Sequence, residues 1–201
     1  MKKILPFFSY LFHPIFIPIL GSLFYIYFFP NYYTTQQYIL VVVQIVIITF
    51  FLPISFFYLL RTFGKVDTIM LSETSQRKIP LLVQIILTYI LIQKSITVER
   101  FPELYFFFFA GICSTIVALI LVFVNFKASI HMIALSALTF FLIALSISQQ
   151  QNVVLLICSL FLISGLVATS RLEMKAHSLK ELLVGYTVGM IPQIALWYLW
   201  L

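Results

Sequence analysis

Charge is what this sequence most lacks. Only 9% of its 201 residues are Asp, Glu, Lys or Arg, and 63% are hydrophobic, whereas a soluble globular domain carries roughly 25% charge. So few charges cannot clothe a water-facing surface, which excludes a soluble protein and predicts an integral membrane protein. Cysteine is also scarce. Cys113 and Cys158 both lie in apolar runs, without ligand spacing or a pairing pattern, and the redox compartment stays open. Aspartate clusters and His-rich pairs are missing, so no metal site is expected. There is no internal repeat and no room for a second soluble domain. Residues 1–201 are expected to form a single integral membrane domain.

What is abundant is long apolar sequence. Seven stretches have the length and character of membrane helices: roughly 11–30, 38–60, 79–96, 104–124, 130–147, 153–169 and 182–201. Backbone in hydrocarbon must satisfy its own hydrogen bonds, and these runs lack barrel alternation. The predicted fold class is therefore all-α, a polytopic transmembrane helix bundle of about seven spans. The third and fifth spans are short and suit a tilted or buried position. The opening MKKILPFFSYLFHPIFIPILG resembles a signal peptide. Its apolar stretch is too long, Pro14 and Pro18 interrupt it, and no small-x-small cleavage site follows. It reads as the first span.

With Lys2 and Lys3 in the cytoplasm, seven spans put Arg61, Lys65, Arg77, Lys78, Lys127, Arg171, Lys175 and Lys180 on that same side. Only Lys94 and Arg100 fall opposite. This bias predicts a cytoplasmic N-terminus in a bacterial inner membrane. It also gathers the polar segments 61–80, 125–131 and 170–181 on one face, with His131 and His177, while the opposite loop 148-SQQQN-152 is inert. His13, beside Pro14, reads as interfacial and receives no role.

The segment 170-SRLEMKAHSLKELLVG-185 carries most of the chemistry. His177 and Glu181 are i and i+4 and share a helix face if a helix runs through both. A carboxylate bound to one imidazole nitrogen fixes the tautomer and leaves the other as nucleophile or base. Arg171 offers a planar set of donors that suits phosphate. Gly185 and Gly189 permit close helix approach. In 125-NFKASIHM-132, Lys127, Ser129 and His131 stand where the fifth span begins, and helix N-termini attract anions. Two histidines around an anion site suit attack on phosphorus by one and protonation of the leaving oxygen by the other. Taken singly, the His-Glu pair is also what a solvated turn would contain. Arg77 alone would be an interfacial anchor.

The segment Ser170-Arg171, five residues, His177, three residues, Glu181, three residues, Gly185 resembles the third signature of the type 2 phosphatidic acid phosphatase superfamily, with Glu where that signature has Asp. Residues 128-ASIH-131 keep the Ser and His of its second signature, Pro-Ser-Gly-His, but carry Ala128 and Ile130 in place of Pro and Gly. The first signature, Lys, six residues, Arg-Pro, is not found; 73-ETSQRKIP-80 is the nearest material. The resemblance covers 125–189. It implies His177 as the nucleophile that becomes phosphohistidine, Glu181 as its orienting carboxylate and His131 as general acid. Arg171 and Ser129 would hold the phosphoryl group, with Lys127, Arg77 and Lys78 supplying further positive charge. No metal or cofactor is implied. The expected substrates are membrane lipid phosphates or isoprenyl pyrophosphates, with no nucleic-acid partner and the oligomeric state open. A catalytically inactive scaffold or lipid binder is the alternative. A small transporter is disfavoured by the few intramembrane polar residues, Gln44, Gln84 and Gln193, and the lack of a mid-span acid.

Overall fold

A computed structural model describes residues 5–30, 32–67 and 73–201. Lys2 and Lys3, which set the expected orientation, lie outside these, as does part of the 61–80 segment. Among the described residues the chain folds into nine α-helices and no strand. They are α1 (Leu5–Leu11), α2 (Ile17–Phe28), α3 (Thr35–Val46), α4 (Leu52–Thr62), α5 (Lys78–Lys94), α6 (Pro102–Phe123), α7 (Ile130–Ser148), α8 (Val154–Glu173) and α9 (Leu179–Trp197). Short 3-10 or π turns join some of them end to end, and seven rods result, as the hydrophobic runs predict.

Six rods are long and apolar enough to cross a membrane: Leu5–Phe28, Thr35–Thr62, Ser75–Lys94, Pro102–Phe123, Ile130–Ser148 and Val154–Glu173. The chain is an integral membrane protein. The seventh rod, α9, has 19 residues, about 28 Å at 1.5 Å per residue, and carries Lys180, Glu181 and Gln193.

Local chemistry sets several of the breaks. The first rod is not continuous: His13 caps a 3-10 turn over Pro14–Phe16, and Pro18 opens α2. Proline tolerates a first turn because its missing N–H would be unsatisfied there anyway. The first span therefore begins at Leu5 rather than near residue 11, with α1 packed on α8. Between α3 and α4 a π-helical turn spans Ile47–Phe51, just before Pro53. Proline removes one N–H from the ladder and crowds the preceding turn, and a wider turn accommodates it.

Helix α7 is the innermost. Its buried residues include His131, Leu135, Leu138, Phe141, Leu142 and Leu145, and Phe141 stacks on Phe107 of α6 at 4.4 Å. The fifth span is thus the buried one. Its tightest neighbour is α9. A Cβ added to Gly185 would stand 2.7 Å from the Ser129 carbonyl oxygen, and one added to Gly189 would overlap the Ile133 carbonyl and Ser136 Oγ. Without a hydrophobic force between helices in lipid, such backbone contact is a main source of association.

Candidate functional site

The site is assembled where two chain reversals meet. Helix α8 stops at Glu173, Lys175 takes a left-handed φ of 51°, and Ala176 N–H donates to the Arg171 carbonyl at 3.0 Å. This six-to-one closure is the Schellman stop. It folds the chain back so that His177 returns beside the end of α8. Ser178 then caps α9. Its hydroxyl accepts from Glu181 N–H, and the Glu181 carboxylate accepts from Ser178 N–H at 2.8 Å. The reciprocal pair is a capping box.

The same Glu181 oxygen, Oε2, takes a second bond from His177 Nδ1 at 3.3 Å. A carboxylate only accepts, so Nδ1 carries the proton and Nε2 keeps its lone pair. The pair is nearly enclosed, with the His177 side chain 1% exposed and Glu181 22%. Burial pushes the His177 imidazole down to about 4, and the positive charges of Arg77, Arg171 and Lys127 push the same way against Glu181. The ring is therefore neutral at pH 7. Lys127, half-buried, is itself lowered by burial and by Arg77.

The second histidine comes from the neighbouring reversal. Asn125, also left-handed at φ 58°, ends α6, and the chain runs through Lys127 and Ala128 to Ser129, the N-cap of α7. Two bonds hold this segment. Arg77 Nη1 donates to the Ala128 carbonyl at 2.9 Å, and Ser129 N–H donates to the Glu181 carbonyl at 3.1 Å. His131 follows on the first turn, with Nε2 donating to the Ser9 carbonyl at 3.0 Å. A carbonyl also only accepts, so the lone pair of His131 is on Nδ1. Ser129 Oγ is buried without a hydrogen-bond partner among the described residues.

A cavity of about 270 Å³ joins these groups. One end is lined by Arg77, Arg171, His131 and His177, all buried. From there it runs between Pro18, Phe57, Leu60, Leu81, Phe107 and Ala137 as far as Thr88. Thr88 is ten residues beyond Lys78 on α5, roughly 15 Å deeper. The space is thus amphipathic, with two guanidiniums and imidazoles at the membrane-face end and hydrocarbon below.

Most of the residues selected from sequence are brought together. His131, His177, Arg171 and Arg77 line one space, Glu181 is bonded to His177, Ser129 N–H is bonded to the Glu181 carbonyl, and half-buried Lys127 adds its charge to their field. Lys78 does not join them: it is exposed on the outer side of α5, with Nζ 4.9 Å from the Phe123 ring. It is the next residue after Arg77, and consecutive residues on a helix point about 100° apart. Two contributors carried no signal in the sequence. His13, read as interfacial, lines the cavity and meets the His131 ring at 5.3 Å, edge to face. Ser9 supplies the carbonyl that orients His131, and its hydroxyl is 2.6 Å from that of Ser170.

The fold and site define an all-α integral membrane protein with a buried, basic, histidine-bearing cavity. No family model matches the sequence, and no curated protein or solved structure matches it.

Proposed function

We propose that this protein is a phosphatase of membrane lipid phosphates or diphosphates, a divergent member of the type 2 phosphatidic acid phosphatase superfamily. The observation that carries the reading is the pairing of two histidines, each oriented by its own acceptor, at the cationic end of a cavity whose remainder is apolar. A lipid phosphate has this division of charge and hydrocarbon.

Each group has a role in the reaction. His177 Nε2, neutral and held by Glu181, attacks phosphorus. The bond to the leaving oxygen breaks with its electron pair on that oxygen, and His131 Nδ1, having taken a proton from the bound phosphate monoanion, passes that proton to it. Arg171 and Arg77 hold the phosphoryl oxygens as charge builds. Water then attacks the phosphohistidine, the P–N pair returns to Nε2, and His131 takes the water proton. Arg77 here fills the place of the absent first signature. The predominance of basic residues on the site face supports a cytoplasmic orientation of that face in a bacterial inner membrane.

A second reading, a lipid-phosphate binder without turnover, is favoured by Ile130, which stands where the family signature has glycine.

The test is phosphate release by the detergent-purified chain from phosphatidic acid and an isoprenyl diphosphate, with and without chelator. His177→Ala is expected to remove turnover. Glu181→Gln keeps the capping-box acceptor and is expected to lower kcat by about a hundredfold or more, with thermal unfolding little changed. Turnover that survives His177→Ala would sink the mechanism, and phosphate-lipid binding without turnover would favour the second reading.

A further inference from the structure

His13 stands inside the cavity with a defined tautomer. Ile15 N–H donates to its Nδ1 at 3.3 Å, so that nitrogen is unprotonated and the ring proton is on Nε2. The ring is thus a hydrogen-bond donor, set edge to face against His131. Its place along the cavity is equally defined. The residues that follow it, Pro14, Ile15 and Pro18, line the apolar run, as do Ala134 and Ala137 beyond His131. Arg77, Arg171 and His177 make the charged end. His13 and His131 therefore stand at the junction, where a head group would join its chain.

That junction has more donors than a leaving alcohol needs. An alkoxide oxygen takes one proton, which His131 Nδ1 alone relays. A leaving phosphate carries further non-bridging oxygens, each a strong acceptor that must be satisfied in a buried site. We infer that His13 is a specificity-determining residue that binds the inner phosphate of a lipid diphosphate, so that the group this site removes is the terminal phosphate of such a molecule. The inference rests on the phosphatase reading above and names its substrate class.

The step balances. His177 Nε2 bonds to the terminal phosphorus, and the bond from that phosphorus to the bridging oxygen breaks. The electron pair stays on the bridging oxygen, which leaves as part of a lipid monophosphate and takes from His131 Nδ1 the proton that the partly protonated diphosphate delivered there on binding. His13 Nε2–H donates to another oxygen of that departing phosphate. Water releases inorganic phosphate from His177 and returns the proton to His131.

The experiment compares geranylgeranyl diphosphate with geranylgeranyl monophosphate, on the full chain in detergent, for the wild type and His13→Asn. Asparagine retains a side-chain acceptor for Ile15 N–H and keeps the turn capped. The wild type is expected to prefer the diphosphate. In His13→Asn the diphosphate-to-monophosphate ratio of kcat/KM is expected to fall about tenfold or more, as one hydrogen bond to a charged group would produce. A ratio unchanged by the substitution, or a wild type that prefers the monophosphate, overturns the inference and leaves the phosphatase reading standing. Failure of the folded wild type to release phosphate from either lipid overturns both. Should the Asn variant fail to fold, judged by gel filtration, the wild-type preference decides alone.

Discussion

His177 and His131 are backed by different acceptors, and the difference suits their proposed work. Glu181 is charged and favours positive charge on the ring that takes up phosphorus. Ser9 offers only a neutral carbonyl, which fixes the His131 tautomer without holding a charge on the ring. The depression of His177 to about 4 has a sign that can be followed. Protonation would remove the attacking lone pair. Because the folded value lies below the ordinary 6.5, the ring stays neutral as pH falls through 6.5 and is lost as a nucleophile only near 4. The same group contributes stability that is full above 6.5 and declines as pH falls toward 4, since the unfolded chain binds the proton first. The acid limb of kcat/KM attributable to the nucleophile is therefore expected near pH 4. Lys127→Met, which removes one of the depressing charges, should move it upward. A pH-rate profile of both proteins checks this, and a limb near 6.5 in the wild type would contradict it.

At the scale of elements, the site depends on α7 and α9 touching backbone to backbone. Gly185 lies against Ser129, whose N–H is held by the Glu181 carbonyl. A methyl group there meets backbone, which cannot rotate aside. Gly185→Ala is expected to cost on the order of 1–3 kcal/mol and to lower turnover by shifting the segment that carries His131. Thermal unfolding and phosphate release measured together check it, and an Ala variant as stable and active as the wild type would show that the contact relaxes freely. This part of the design was legible in the sequence, because two glycines four residues apart in an apolar run have a physical reason to exist. The spacing from Ser170 to Gly185 was legible for a related reason, although the contact is made across the cap rather than along a helix face: His177 precedes the Ser178 cap and Glu181 is the third helical residue after it. The break at His13 was harder to see. Its prolines marked an interruption, but nothing local said that the chain before it would dock on α8. Ser9 and Ser170 meet across 161 residues, and such a contact leaves no periodic trace.

The whole molecule divides along the membrane normal, and sequence reads that division only in part. Apolar runs locate the spans, yet lipid-facing and buried side chains are equally apolar, so hydropathy does not say which faces enclose a cavity. Lys78 and Arg77 make the point, adjacent in sequence and turned to the outer surface and the cavity respectively. The cavity itself offers a test of what its apolar part does. Gly111 of α6 lines it, and a Cβ built there meets nothing within 4 Å. A leucine at 111 would therefore occupy the cavity rather than strain the packing, and it replaces glycine with a better helix former, worth up to about 1 kcal/mol. If the apolar run holds the lipid chain, Gly111→Leu should raise KM for a long-chain lipid phosphate far more than for a short, water-soluble phosphate ester, without loss of thermal stability. The head group would still reach His177, since the substitution lies well below the charged end. Equal losses on long and short substrates would mean that the chain lies elsewhere, along the outside of the bundle.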